Sequence, residues 1–138
     1  MSNSRSAPHP ASHPAPSPAS QPTSPDAQAL AALGALANAH RLAMVRALVA
    51  AGPQGLPASA LAAAVGASPS KASFHLAALA EAGLVTAERA ARQITYRVSY
   101  RAMGALLRYL MEDCCANDPT VRACCGGTAP PAAPAPGA

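Results

Sequence analysis

A chain of 138 residues with one Phe, no Trp and four Cys is sized for a single small domain. Its hydrophobic fraction is 51%, but most of that is alanine, so the core must be built from Leu, Val, Met and Ala and stays thin. The net charge of +4 includes no polybasic run, which is compatible with a nucleic-acid partner without establishing one.

No stretch is long and apolar enough to span a bilayer, because the best candidates are broken by Gln28, Asn38, His40 or Pro57. The N-terminus has no basic segment followed by an apolar one, so it does not read as a signal peptide. A cytoplasmic location is expected, with the four cysteines as reduced thiols rather than disulfides.

Residues 1–25 are Pro, Ser and Ala with His9 and His13. This composition cannot offset chain entropy by burial, so the segment reads as a disordered tail, and the sparse His as inert. Ser24-Pro25-Asp26 is a helix start: a capping hydroxyl, Pro at the first position and an acid at the positive end of the dipole. Leu30, Leu33 and Leu36 recur at helical spacing. Asn38 is the next cap, followed by a stripe of Leu42, Val45, Leu48 and Val49, with Arg41 and Arg46 outside it. Gly52-Pro53 ends that helix, and Gly55 and Pro57 shape a loop. A third, alanine-rich helix at about 58–64 carries Leu61 and Val65 and stops at Gly66.

Ser68 and Pro69 then start a fourth helix, in which Phe74, Leu76 and Leu79 are apolar and Ser70, Lys71, Ser73 and His75 are small, polar or basic. Gly83 ends it. Leu84–Arg89 and Gln93–Val98 read as a hairpin around a basic turn, Arg89-Ala90-Ala91-Arg92. The third helix, the turn at Gly66 and the fourth helix make a helix-turn-helix. A helix with a small polar face followed by a basic hairpin tip suits a DNA major groove and its flanking phosphates. Ser99 caps a last helix, about 100–116, with Met103, Leu106, Leu107, Leu110 and Met111 on one face and Arg101, Arg108 and Glu112 on the other. So broad a stripe needs a partner surface.

The ordered set Ser68, Ser70, Ser73, His75-Leu76, Leu79, Glu81-Ala82-Gly83-Leu84-Val85 and Tyr96-Arg97-Val98 resembles the ArsR/SmtB family of winged helix-turn-helix repressors, over roughly residues 27–113. The resemblance implies a mainly α fold with a small β-hairpin, in the order α-α-α-α-β-β-α. It also implies a homodimer paired through the first and last helices, on a palindromic operator. Domain boundaries follow: a tail at 1–25, a DNA-binding and dimerisation domain at 26–116, a cysteine-containing ligand segment at 117–127 and an Ala/Pro tail at 128–138.

The DNA-contacting set expected under this resemblance is Ser68, Ser70, Lys71, Ser73, His75, Arg89 and Arg92. Lys71, the only lysine, is placed for a phosphate or base edge. Arg89 and Arg92 should meet backbone phosphates and give salt-dependent affinity rather than sequence choice. His75 has two readings, a DNA contact or a partly buried, hydrogen-bonded ring. The chain departs from many members in carrying Pro69 where they have Gln and Phe74 where they have His. The operator sequence therefore does not carry over, and Phe74 is expected in the core.

The cysteines come as two neighbouring pairs, Cys114-Cys115 and Cys124-Cys125. Cys114 follows Leu110 by four and Met111 by three, continuing the apolar face, and Cys115 points about 100° away. Asn117-Asp118-Pro119 should break the helix and let the second pair fold back. Thiols this close suit a soft ion. Arsenite is neutral at pH 7 and exchanges three hydroxides for three thiolates, so three convergent sulfurs suffice. Antimonite would bind the same way, and organic arsenicals share the chemistry.

The family's usual sites are missing, since the helix at 58–66 has no Cys and the last helix has no His. A C-terminal cysteine cluster resembles one arsenic-responsive subgroup. That implies As(III) as inducer, held by Cys114, Cys115 and one or both of Cys124 and Cys125, within one chain or across the dimer. Release from DNA as the direction of response comes from the family alone. The rival readings are structural zinc, another soft metal, a redox or persulfide switch, or a thiol buffer that binds no DNA. No nucleophile–base constellation, paired carboxylate or phosphate loop points to an enzyme.

Overall fold

The computed structural model describes residues 24–125; the expected tails at 1–25 and 128–138, apart from Ser24 and Pro25, lie outside them, as do His9 and His13. The described residues divide between Val98 and Ser99 into two compact units.

The first unit opens with α1 (Pro25–Leu36), whose cap Ser24 accepts from the Ala27 N–H at 3.0 Å. Asn38 likewise caps α2 (Ala39–Ala51) by accepting from the Arg41 N–H at 3.1 Å. A 3-10 turn at Gly52–Gln54 leads into β1 (Leu56–Pro57), a short strand not expected from the sequence. Next come α3 (Ala58–Val65) and α4 (Pro69–Glu81). Between them Gly66 sits at φ +69, the left-handed conformation that stops α3, and the Ala67 N–H bonds back to the Ala62 carbonyl. This is the expected helix-turn-helix.

β2 (Val85–Ala90) and β3 (Gln93–Val98) form the wing, antiparallel from Val85↔Val98 to Ala90↔Gln93. Its turn is tighter than expected, with only Ala91 and Arg92 between the strands. Ala91 takes φ +62, a place hairpins usually give to glycine. β1 adds to the other side of β3, pairing Leu56 with Tyr96, so the sheet order is β1-β3-β2.

Met44, Leu48, Leu61, Leu76, Leu79 and Leu84 are fully buried and form the centre of this unit. Two expected stripes differ. α1 buries Ala29, Ala32 and Ala35, while Leu30 and Leu33 are exposed; small side chains let the helix lie close and leave the leucines off the contact. On α2, Met44, Val45 and Leu48 are buried, but Leu42 and Val49 are exposed.

The second unit begins with α5 (Tyr100–Arg108), whose cap Ser99 accepts from the Ala102 N–H at 3.2 Å. The expected α-helix to residue 116 gives way to a π-helical turn over Tyr109–Cys114, where the Cys115 N–H reaches five residues back to the Leu110 carbonyl at 2.9 Å. Ala116 and Asn117 reverse the chain at φ +51 and +59. Asp118 then caps a sixth α-helix, α6 (Pro119–Cys125), by accepting from the Thr120 N–H at 2.8 Å. The chain breaks where Asn117-Asp118-Pro119 was expected to break it, but resumes as a helix.

Candidate nucleic-acid interface and the cysteine segment

α4 is positioned by the face it buries. Ala72, His75, Leu76 and Leu79 follow one another at i, i+3, i+4 and i+7 and are all buried. The opposite face is therefore exposed, and it holds Ser70, Lys71, Ser73, Phe74 and Ala77. Ser68 starts the helix, its hydroxyl accepting from the Lys71 N–H at 3.2 Å. That bond fixes the first turn and the base of the Lys71 side chain. Four of the expected contact residues, Ser68, Ser70, Lys71 and Ser73, thus lie exposed on or before the first turns of α4.

His75 turns the other way. Its ring is 7% exposed and stacks on His40 with centroids 5.2 Å apart. Nδ1 lies 3.1 Å from the Arg41 guanidinium, whose Nε also donates to the Ala35 carbonyl at 2.7 Å. Arg41 therefore ties the end of α1 to α4. Burial, reinforced by Arg41, His40 and Lys71, holds His75 below its ordinary value. Of its two readings, the buried, hydrogen-bonded ring is the one that describes this placement.

Phe74 corrects an expectation. It is 66% exposed rather than in the core. It falls outside the Ala72–Leu76–Leu79 stripe and inside the Ser70–Lys71 face, which the helical spacing alone would have revealed.

On the wing, Arg89 and Arg92 flank the turn and are exposed, and neither makes an ion pair or side-chain hydrogen bond among the described residues. Arg97 is different: its guanidinium pairs with Glu88 across the sheet and donates to the Pro53 carbonyl at 2.7 Å. It is therefore a brace within the fold. An exposed helix face with short polar side chains and a cation, beside a strand tip carrying two unpaired arginines, is what a groove edged by phosphates can accept.

A helix-turn-helix domain model matches residues 36–88, the span from the end of α1 through most of β2. A solved structure described as a possible transcriptional regulator for arsenical resistance is 32% identical, with 70% of this chain and 96% of that one covered at a TM-score of 0.53. The chain belongs to the ArsR family of DNA-binding transcriptional regulators. An ArsR-like transcriptional regulator from Rhodococcus sp. RHA1 aligns at 26% identity over 72% of this chain and 91% of that one, with a TM-score of 0.59. The homodimeric winged helix-turn-helix DNA-binding domain of a possible ArsR-family regulator from Mycobacterium bovis is 33% identical. It covers 62% of this chain and 79% of that one, with a TM-score of 0.51. Among curated proteins none matches. The architecture of this ArsR-family chain is thus the winged helix-turn-helix, and the family is one of regulators rather than enzymes. Among the described residues no helix is long and apolar enough to cross a membrane.

The cysteines of this regulator all lie in the second unit. Cys114, Cys124 and Cys125 are exposed and Cys115 is half-buried. This reverses the expectation for the first pair, and the π-helical turn is the reason. One extra residue per turn shifts the phase, so that Cys115 rather than Cys114 follows Leu110. Desolvation raises the Cys115 thiol above its ordinary value, as do the neighbouring Cys114 and then Asp118 and Cys125. Among the described residues no three His, Cys, Asp or Glu side chains stand close enough to hold one metal ion as they are.

Proposed function

We propose that this ArsR-family regulator is a homodimeric repressor that leaves its operator when trivalent arsenic binds Cys114, Cys115 and one of Cys124 or Cys125. The observation that carries the reading is the thiol arrangement. Two neighbouring thiol pairs, Cys114-Cys115 and Cys124-Cys125, stand within twelve residues of chain, and three of the four thiols are exposed to an incoming ligand. The donor set suits the ligand: three sulfurs complete the coordination of As(III), and antimonite or an organic arsenical would use the same sulfurs. The neighbour named for arsenical resistance and the homodimeric neighbour support the two halves of the proposal.

The raised Cys115 thiol favours arsenite over zinc. Arsenite carries its own hydroxides, so three thiols displace three waters and no proton is released to solvent. Zinc needs thiolates, and each proton lost to solvent costs more from a thiol whose pKa is raised. Because the three sulfurs are not yet gathered, binding must draw the second pair toward the first. A ligand that favours one arrangement of this segment over another shifts DNA affinity by the coupling free energy, typically about 1–3 kcal/mol.

Fluorescence anisotropy of the reduced protein on its promoter DNA, titrated with arsenite and separately with zinc, tests the reading. Release by arsenite and not by zinc is expected, and loss of that release in a Cys114→Ser/Cys115→Ser double variant. Release that persists in the double variant would refute the site. Binding that ignores both ligands but falls on oxidation would make the thiols a redox switch. Absence of salt-sensitive DNA binding would leave a thiol buffer.

A further inference from the structure

The largest apolar side chain on α4 is outside the core. Phe74, the chain's single phenylalanine, is 66% exposed. It stands four residues after Ser70 and three after Lys71, so these side chains share one helix face. Its ring has a fixed neighbour: His75 stands beside it in a T-shaped arrangement, with centroids 5.4 Å apart and planes at 66°. His75 is itself held by Arg41 and stacked on His40, so the ring is presented from a braced position.

We infer that Phe74 reads thymine, packing its ring on the 5-methyl group of one base in the operator's major groove. The inference rests on α4 being the helix that enters that groove. A phenyl ring offers no donor or acceptor. Set against a purine acceptor or a cytosine amino group, it would displace water and leave that group unpaired, which is costly. The one apolar group the major groove presents is the thymine methyl.

The position fits as well. Phe74 is the sixth residue of α4, on the N-terminal part of a recognition helix that meets base edges. Ser70 and Ser73 beside it are short enough to let the helix approach closely. The occupant of this face is DNA rather than a second copy of the chain, because Lys71 on the same face and the net charge of +4 favour a polyanion.

Phe74 thus gives this regulator a sequence preference that its serines and arginines do not supply. The test uses the full chain. Duplexes retrieved from a random pool by the wild-type protein are resynthesised with uracil replacing thymine, one position at a time. Wild-type affinity should fall about fourfold at the contacted base, the effect of losing one buried methyl. Phe74→Ala should bind the thymine and uracil duplexes equally there, and Phe74→Leu should keep part of the difference.

If Phe74→Ala discriminates as the wild type does, or if no thymine methyl matters to the wild type, the inference is wrong. A Phe74→Ala protein that loses its dimer yet keeps the discrimination would assign the ring to contact between copies and overturn the inference while leaving α4 on DNA. A wild-type protein that retrieves no duplex would remove the major-groove reading of α4 and this inference with it.

Discussion

His75 shows how one side chain couples the helix-turn-helix to pH. An arginine cannot give up its proton, so Nδ1 of His75 must be the acceptor in its bond to Arg41, which places the ring's single proton on Nε2. A second proton would remove that acceptor and put a cation against Arg41, with His40 and Lys71 also facing the ring. Burial and then Arg41, His40 and Lys71 lower its pKa from the ordinary 6.5. As pH falls below that value the unfolded chain takes up the proton first, so stability falls from there down to the folded-state pKa. Urea unfolding on either side of pH 6.5 should show this loss. His75→Gln keeps an acceptor for Arg41 without titrating, so its loss should be shallower; an unchanged pH slope would show that His75 is not the titrating group. The sequence made the ring a candidate but not its partner, since Arg41 is 34 residues away. Phe74 lies outside the core for a simpler reason: helical phase sets it on the Ser70–Lys71 face, against what its apolar chemistry suggests.

Capping chemistry made the helices legible. Ser24, Asn38, Ser68 and Ser99 each accept from the N–H three residues on, as their types and positions implied. What stayed hidden were elements set by partners distant in sequence or by hydrogen-bond phase. β1 is two residues long and exists because β3 pairs with it, so no local periodicity announces it. The π-helical turn at Tyr109–Cys114 moves each N–H to a carbonyl one residue further back and so shifts the side-chain phase, which composition does not encode. Gly55 is the sequence's one visible trace of β1. It is buried at φ +71, and a Cβ there would collide with the Tyr96 carbonyl and lie 2.8 Å from Cγ of Arg97. The Tyr96 carbonyl is backbone of the strand and cannot swing aside. Gly55→Ala should therefore cost about 1–3 kcal/mol, the usual penalty for forcing extra atoms into a packed site. Thermal unfolding would measure it, and a wild-type Tm would show that β1 can move without cost. The variant should also weaken DNA binding through the wing, because β1 and β2 flank the same strand.

At the scale of the molecule the apolar surface is unbalanced. The winged unit buries six large side chains completely, yet Leu30, Leu33, Leu42 and Val49 are 69%, 40%, 46% and 47% exposed; in the second unit Leu107 is 51% exposed. An alanine face lets α1 seat on its own unit while its leucines stay available. Full burial of a side chain of this size is worth about 1.5–3 kcal/mol, and each of these forgoes the share set by its exposure. A second copy covering Leu30 and Leu33 would recover much of that, and the homodimeric Mycobacterium bovis neighbour has the same fold. Under the proposed dimer, Leu30→Glu/Leu33→Glu should leave each winged unit folded, because neither leucine belongs to its core. The dimer should be lost, since burying two like charges against their counterparts costs more than the leucines contributed. Sedimentation velocity would then report a monomer with native helix content. Operator affinity should fall far more than the charge change explains, because a palindromic site is held by two recognition helices and linking them raises the effective concentration of the second. A double variant that stays dimeric would place the interface elsewhere. A monomeric variant that bound the full operator like the wild type would show that one winged unit suffices.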